Sequence, residues 1–328
     1  MGKKLTPKGI WQLVKEAFTG FMENKVLKMS ASLAYYTVFS MGPMLIVIIF
    51  FADLFYGREA VEGTIYGQIK GFVGPAAALQ LQEIIKNATI QNNGNAMAVL
   101  GFVTLFIGAT TVFAEIQDSI NTIWNLKTKP ERGWLKMLLD RVLSFSIVVS
   151  LGFLLLVSLI INGILEALMN RFRQMFPEMA VVTVYIANLV ITFAVITSLF
   201  AIIFKVLPDA KIKWKDVVIG AMTTAVLFML GKFAISFYIG SSNVGSTYGA
   251  AGSLVVILLW IYFSAVILYF GAEFTKIYAA HYGSRIHPSQ YAVWIKQVEV
   301  EEGKASLKQV EQKKKEENDN SGDDVKVK

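Results

Sequence analysis

Six stretches of this chain are too long and too apolar to be ordinary buried helices of a water-soluble domain. The first, SASLAYYTVFSMGPMLIVIIFFADLF, runs from Ser30 to Phe55 with one acid, Asp53. Crossing a bilayer takes about 20 mainly apolar residues. Runs of that kind lie at 29–55, 96–123, 137–168, 181–206, 215–239 and 251–279. Only 17% of the 328 residues are charged and the mean hydropathy is +0.53, whereas soluble domains carry about 25% charged residues. The expected fold class is therefore all-α, a polytopic membrane protein with six transmembrane helices. No internal repeat is visible, so an inverted-repeat transporter architecture has no support in the sequence.

Lysine and arginine placement orients the spans. Basic residues crowd the segment before the first span (Lys3, Lys4, Lys8, Lys15, Lys25, Lys28), the second-to-third loop (Lys127, Lys129, Arg132, Lys136, Arg141) and the fourth-to-fifth loop (Lys205, Lys211, Lys213, Lys215). The opposite loops hold few, and those at 57–95 are balanced by Glu59, Glu62 and Glu83. Both termini are thus expected in the cytoplasm. The net charge of +7 is explained by this asymmetry, and no nucleic-acid partner is expected. The N-terminus has no apolar core followed by a small-residue cleavage site, so it is not expected to be a cleaved signal peptide.

Outside the spans, residues 1–28 read as a cytoplasmic amphipathic segment. Ile10, Val14, Ala17, Phe18 and Phe21 recur at helical spacing, and the helix is expected to lie in the membrane interface with Trp11 at headgroup depth. The membrane domain follows at 29–280. Its insert at 57–95 carries two short helical patterns (Ile65, Ile69, Phe72; Leu81, Ile84, Ile85, Ala88) split by Gly74-Pro75, which predicts an extracytoplasmic helical hairpin. Residues 281–328 read as a charged, disordered cytoplasmic tail.

With the spans in place, three segments resemble the YihY/virulence factor BrkB family of bacterial inner-membrane proteins. They are SASLAYYTVFSMGPMLIVI in the first span, GKFAISFYIG at 231–240, and YGAAGSLVVILLWIYFSAVILYFGAEF at 248–274 with its closing Gly-Ala-Glu. The likeness covers roughly residues 8–285. It implies a six-span protein of the bacterial cytoplasmic membrane. Proposals for relatives include envelope integrity, serum resistance and export of lipids or lipopolysaccharide precursors. An old label, ribonuclease BN, also travels with the family.

The chemistry available does not suit a nuclease. A metal-dependent phosphodiesterase needs several His, Asp or Glu ligands around an open metal position. The chain has no cysteine and two histidines, His281 and His287, both past the last span in HYGSRIH. No metal, no cofactor and no enzymatic activity are expected.

Ionisable groups inside spans are the sharper signal, since each is costly unless paired or hydrated. Glu115 and Asp118 fall in the cytoplasmic third of the second span and share a helix face. Glu273 falls at similar depth in the sixth span, and Lys232 lies nearer the outer face on the fifth. One reading is helix-end polarity with an ion pair such as Asp118 with Arg141. The other is a substrate or proton pathway, with Lys232 further along it, through a polar cavity of Glu115, Asp118 and Glu273 open to the cytoplasmic leaflet, with Ser32 and Tyr35 on the facing wall and Lys28, Arg141 or the substrate itself as basic partner. Pro43 should kink the first span, as a purely structural feature or as part of a cavity wall. Two functions follow: a transporter or flippase-like translocator of an amphiphilic or lipid-linked substrate, or a non-transporting structural or regulatory envelope protein acting through partner binding. Membrane lipids are expected partners in both, and the sequence leaves the oligomeric state open.

Overall fold

The computed structural model describes residues 6–40, 79, 111–129, 177–241 and 251–295. The expected span at 137–168, the hairpin at 57–95 apart from Leu79, Pro43, Arg141 and the tail beyond residue 295 lie outside the described residues. The described chain is helical: α1 (Pro7–Glu23), α2 (26–40), α3 (111–123), α4 (Pro177–Val206), α5 (Trp214–Ser241) and α6 (Gly252–His281). Among the described residues three helices are long and apolar enough to cross a membrane, over Ile186–Val206, Trp214–Ile239 and Leu254–His281. They coincide within a few residues with the runs read at 181–206, 215–239 and 251–279.

α4 and α5 form a hairpin closed by a short turn. The Lys205 ammonium donates to the Ile212 carbonyl and stands 5.7 Å from the centroid of the Trp214 ring. α5 and α6 pack still more closely, and the reason is a motif that each carries: Gly-Ala-x-x-Thr, at 220–224 and again at 271–275. Gly220 faces Thr275 while Thr224 faces Gly271, so the helices interlock in opposite directions. A Cβ on Gly220 would sit 1.9 Å from Thr275 Oγ1, and one on Gly271 would sit 2.0 Å from Thr224 Oγ1. Both threonine hydroxyls donate to carbonyls of their own helix, at 2.7 Å (Thr224 to Gly220) and 2.6 Å (Thr275 to Gly271). No polar atom is stranded by the close approach. In lipid, such small-residue packing holds helices together where hydrophobic association cannot.

α1 runs antiparallel along the last turns of α6: Gly9 lies against Tyr282, Gly20 against Glu273, and Phe21 against Phe270. Thr6 caps its start by accepting from the Gly9 N–H at 3.2 Å, with Pro7 in the first turn. Leu13 and Ala17 bury themselves on Phe274, Ile277 and Tyr278 of α6. The single apolar face read from the sequence is in fact two stripes. One is packed on α6; the other (Ile10, Trp11, Val14, Phe18 and Met22) is exposed, Trp11 by 72%.

α1 and α3 are each followed, two residues past their ends, by a residue in the left-handed region, Lys25 (φ 53°) and Asn125 (φ 57°), and Arg285 (φ 54°) takes the same conformation four residues past the end of α6. Beyond them the chain forms two small ladders. β1 (Leu126–Thr128) pairs with β4 (Ala292–Trp294), and the Lys129 N–H donates to the Tyr291 carbonyl at 2.9 Å. β2 (Ala210–Lys211) pairs antiparallel with β3 (His287–Pro288), placing Lys211 opposite His287. Residues 282–293, expected to belong to a disordered tail, are therefore folded. They are held by the ladders and by burial of Ile286 and Ala292, contacts too short to leave a periodic trace in sequence.

Gly271→Ala should lower thermal stability in detergent by about 1–3 kcal/mol, the usual cost of overpacking a close contact. Adding Thr224→Ala should recover part of it by removing the atom the new methyl meets. An unchanged melting temperature in the single variant would contradict the interlock.

Candidate functional site

α3, α4 and α6 finish, and α2 and α5 begin, at one end of the bundle. Three buried carboxylates organise that end, and each recruits donors from several segments. Glu273, only 1% exposed, sits at the elbow between α1 and α2. Its Oε1 pairs with the Lys276 ammonium at 2.7 Å, and its Oε2 accepts from the Asn24 side-chain amide at 2.9 Å. A Cβ on Gly20 would lie 2.2 Å from Oε1, so only glycine lets α1 pass this carboxylate. Lys276 also donates to the Ile123 carbonyl at 2.7 Å, and the buried Trp124 indole donates to the Ala272 carbonyl at 2.9 Å. The end of α3 is thereby fastened to α6.

Asp209, in the turn between α4 and α5, is the second. Its Oδ2 accepts from Asn121 (3.1 Å), Thr128 (3.2 Å) and Gln117 (3.3 Å), and its N–H donates to Asn121 Oδ1 at 2.9 Å. Its carbonyl accepts from the Ser289 N–H at 2.9 Å. Asp216 is the third. It lies in the first turn of α5, where the helix dipole favours an anion, and Oδ2 accepts from the Ser284 N–H (3.0 Å) and hydroxyl (2.7 Å).

α1 is tied to the end of α6 by a more open contact, Glu16 Oε2 to His281 Nε2 at 2.7 Å. Partial burial works against ionisation of Glu16. The hydrogen bonds from Gln12 and His281, with the His281 charge, outweigh it and hold the carboxyl below its ordinary pKa. His287 stands in β3. Among the described residues no three His, Cys, Asp or Glu side chains group as a metal site would require.

The sequence-derived candidates divide. Glu273 takes its partners from Asn24 and Lys276, not from Glu115, Asp118 or Lys28. Glu115 and Asp118 lie three residues apart on α3, away from the Glu273 pairing. Glu115 is half-buried and Asp118 exposed. Among the described residues neither carboxylate has a hydrogen bond or ion pair. Ser32 is half-buried, and Tyr35 is 55% exposed, 4.6 Å from Phe39 between ring centroids. Lys232 lies on α5 over the Phe233 ring at 5.7 Å.

Several hydroxyls of α2 are satisfied by their own helix: Ser30 donates to Val26 (2.9 Å), Thr37 to Leu33 (2.7 Å) and Ser40 to Tyr36 (2.9 Å). Sequence reasoning missed Asn24, Lys276, Asp209 and Asp216 as organising residues. The Glu273–Lys276 spacing of three was a legible signal for one of them.

The family model for virulence factor BrkB matches residues 17–292. The chain belongs to the virulence factor BrkB family. Its relatives include UPF0761 membrane proteins of Stenotrophomonas maltophilia (26% identical, over 79% of this chain and 59% of the relative), Vibrio vulnificus (30%, over 78% and 77%) and Haemophilus influenzae (25%, over 77% and 90%). The chain thus spans less than two thirds of the S. maltophilia relative's length. No solved structure matches it. The BrkB-family match and the apolar helices together make this a membrane protein.

Lys276→Met would leave Glu273 buried without its cation, and breaking such a pair costs about 3–5 kcal/mol. Thermal unfolding should show a large drop for Lys276→Met and a smaller one for the double variant with Glu273→Gln. Strictly additive losses would rule out the pairing.

Proposed function

We propose that this BrkB-family protein is a six-span protein of the bacterial cytoplasmic membrane, with both termini cytoplasmic, that translocates an amphiphilic or lipid-linked substrate. The observation that carries the reading is the unpaired acidic face of α3. Glu115 and Asp118 lack protein partners within the described residues, although Glu273, Asp209 and Asp216 nearby are each supplied with donors. Charge left unpaired at membrane depth is costly, and a polar group travelling along that face would relieve it. The exposed aromatic surface of Tyr35, Tyr36 and Phe39 on α2 suits an amphiphile's apolar part.

The orientation is supported by the described Lys and Arg residues. All except Lys232 lie on α1, on the first or last turns of helices that begin or finish at the common end, or in the segments around it. Reporter fusions at Lys129 and Lys211 should behave as cytoplasmic and fusions at Gly94 and Asn243 as external. One inverted reporter would refute the six-span arrangement.

The protein is further proposed to be no enzyme. Reconstituted into vesicles of total bacterial lipid, the purified chain should move labelled amphiphiles between leaflets. Glu115→Gln with Asp118→Asn should slow that flux about tenfold or more, as expected if about 1.4 kcal/mol of binding is lost, while the same preparation leaves RNA uncut. Absence of flux with a fully folded protein would favour the alternative, a non-transporting envelope protein acting through partner binding.

A further inference from the structure

We propose that the exposed apolar row of α1, together with Lys8 and Lys15, is a docking surface for the anionic lipids of the leaflet beside it. That leaflet is the cytoplasmic one in the orientation proposed above. The inference goes beyond the translocator reading and does not depend on it.

Ile10, Val14, Phe18 and Met22 recur every fourth residue, with Trp11 beside them, so the five share one side of α1. The contact with α6 is made by Leu13, Ala17 and Phe21, which are buried. The row stays exposed, Phe18 by 59% and Met22 by 56%. Aromatic and aliphatic groups of this size are unfavourable in water, so an apolar medium is the fitting cover.

The charges of α1 are sorted about this row. At about 100° of turn per residue, Lys8 and Lys15, both exposed, flank it on the side away from α6. Glu16 and Glu23 fall on the other flank, and Glu16 is already engaged by His281. An apolar row rimmed by lysines is the pattern that seats a helix on an anionic membrane surface. An isologous contact with a second copy would instead bring a second set of lysines to the same seam.

The register of the helices places the row at the right depth. Gly220 meets Thr275 and Thr224 meets Gly271, which puts Trp214 level with His281 and Met222 level with Glu273. Gly9 meets Tyr282 and Gly20 meets Glu273, which brings Trp11 to the His281 level as well. Two tryptophans, exposed by 72% and 55%, thus share one level, as interfacial aromatics do. Beyond Trp214, the exposed large apolar residues of α5 run from Met222 to Phe237, which marks where acyl chains begin. α1 occupies the step between those two levels, about 12 Å along the helix axis, the zone of headgroups and first acyl carbons. The sequence suggested a helix lying in the interface; packing along α6 inclines it instead, with Trp11 shallow and Met22 deep. Lys15, a turn below Trp11, can reach back to the phosphates along its apolar stem.

The chain has no cysteine, so Trp11→Cys, Val14→Cys, Phe18→Cys and Met22→Cys each carry a single spin label. The purified full-length variants are placed in nanodiscs of phosphatidylcholine with phosphatidylglycerol. Label depth is read from accessibility to oxygen against a water-soluble nickel chelate. All four labels should favour oxygen, increasingly from position 11 to position 22. Labels that favour nickel throughout would put the row in water and overturn the proposal. Labels shielded from both reagents would put a protein over it, and a uniform depth would remove the incline; either result overturns it too.

Native mass spectrometry of the unlabelled chain, offered equimolar phosphatidylglycerol and phosphatidylcholine, tests the charge. Lys8→Gln with Lys15→Gln should lower the retained ratio of phosphatidylglycerol to phosphatidylcholine about fivefold or more, the effect of about one lysine near an anionic surface. The melting temperature should not move, because both lysines are exposed. An unchanged ratio would overturn the anionic assignment. Neither measurement reads flux, so failure here leaves the translocator reading standing, and absence of flux leaves this surface standing.

Discussion

A carboxylate buried as deeply as Glu273 is tolerable only if the surrounding protein supplies donors to both oxygens, and that requirement shapes one end of this molecule. Asn24 reaches Glu273 from the α1–α2 elbow, and Lys276 reaches it from the next turn of α6. Gly20 gives up its side chain so that α1 can pass. The same lysine then takes the Ile123 carbonyl, one of the backbone acceptors that a helix end leaves open. One buried charge thus fixes where α1 turns, where α3 stops and how both meet α6. Asp209 does the equivalent for the α4–α5 turn, with α3 and the segment before β4 as donors.

Much of this was legible in the sequence, and the physics separates what was from what was not. The three spanning helices α4, α5 and α6 announce themselves because a bilayer demands a long uninterrupted apolar run. The amphipathic α1 was legible as a helix, yet its partner was not. Leu13 and Ala17 pack on α6 while Ile10 and Phe18 stay exposed, and periodicity alone cannot assign two apolar stripes to two environments. The ladders of β2 and β3 span two residues each, below the length at which alternation has meaning.

The candidate acids were found by one sound rule, that ionisable groups in spans are expensive, but the rule does not say with whom each group pairs. Depth placed Glu115, Asp118 and Glu273 at one level. Rotation about the helix axis, which depth arguments ignore, brings Glu273 to Asn24 and Lys276 and not to the other two. The hydroxyls of α2 teach a similar lesson. Ser30, Thr37 and Ser40 spend their donors on carbonyls of their own helix, so their number alone does not call for a wet cavity beside α2.

α3 therefore carries the contrast on which a functional reading turns. Gln117 and Asn121 lie on one side, both committed to Asp209. Ile116, Ile120 and Ile123 fill the core on another. The remaining side holds Glu115 and Asp118, without protein partners among the described residues. Partnering is not beyond this fold, since one turn further along the bundle Lys276 serves Glu273 and the end of α3 at once. It is this unpaired side of α3 that the proposed translocation would use, since charge at membrane depth is costly until something pairs with it.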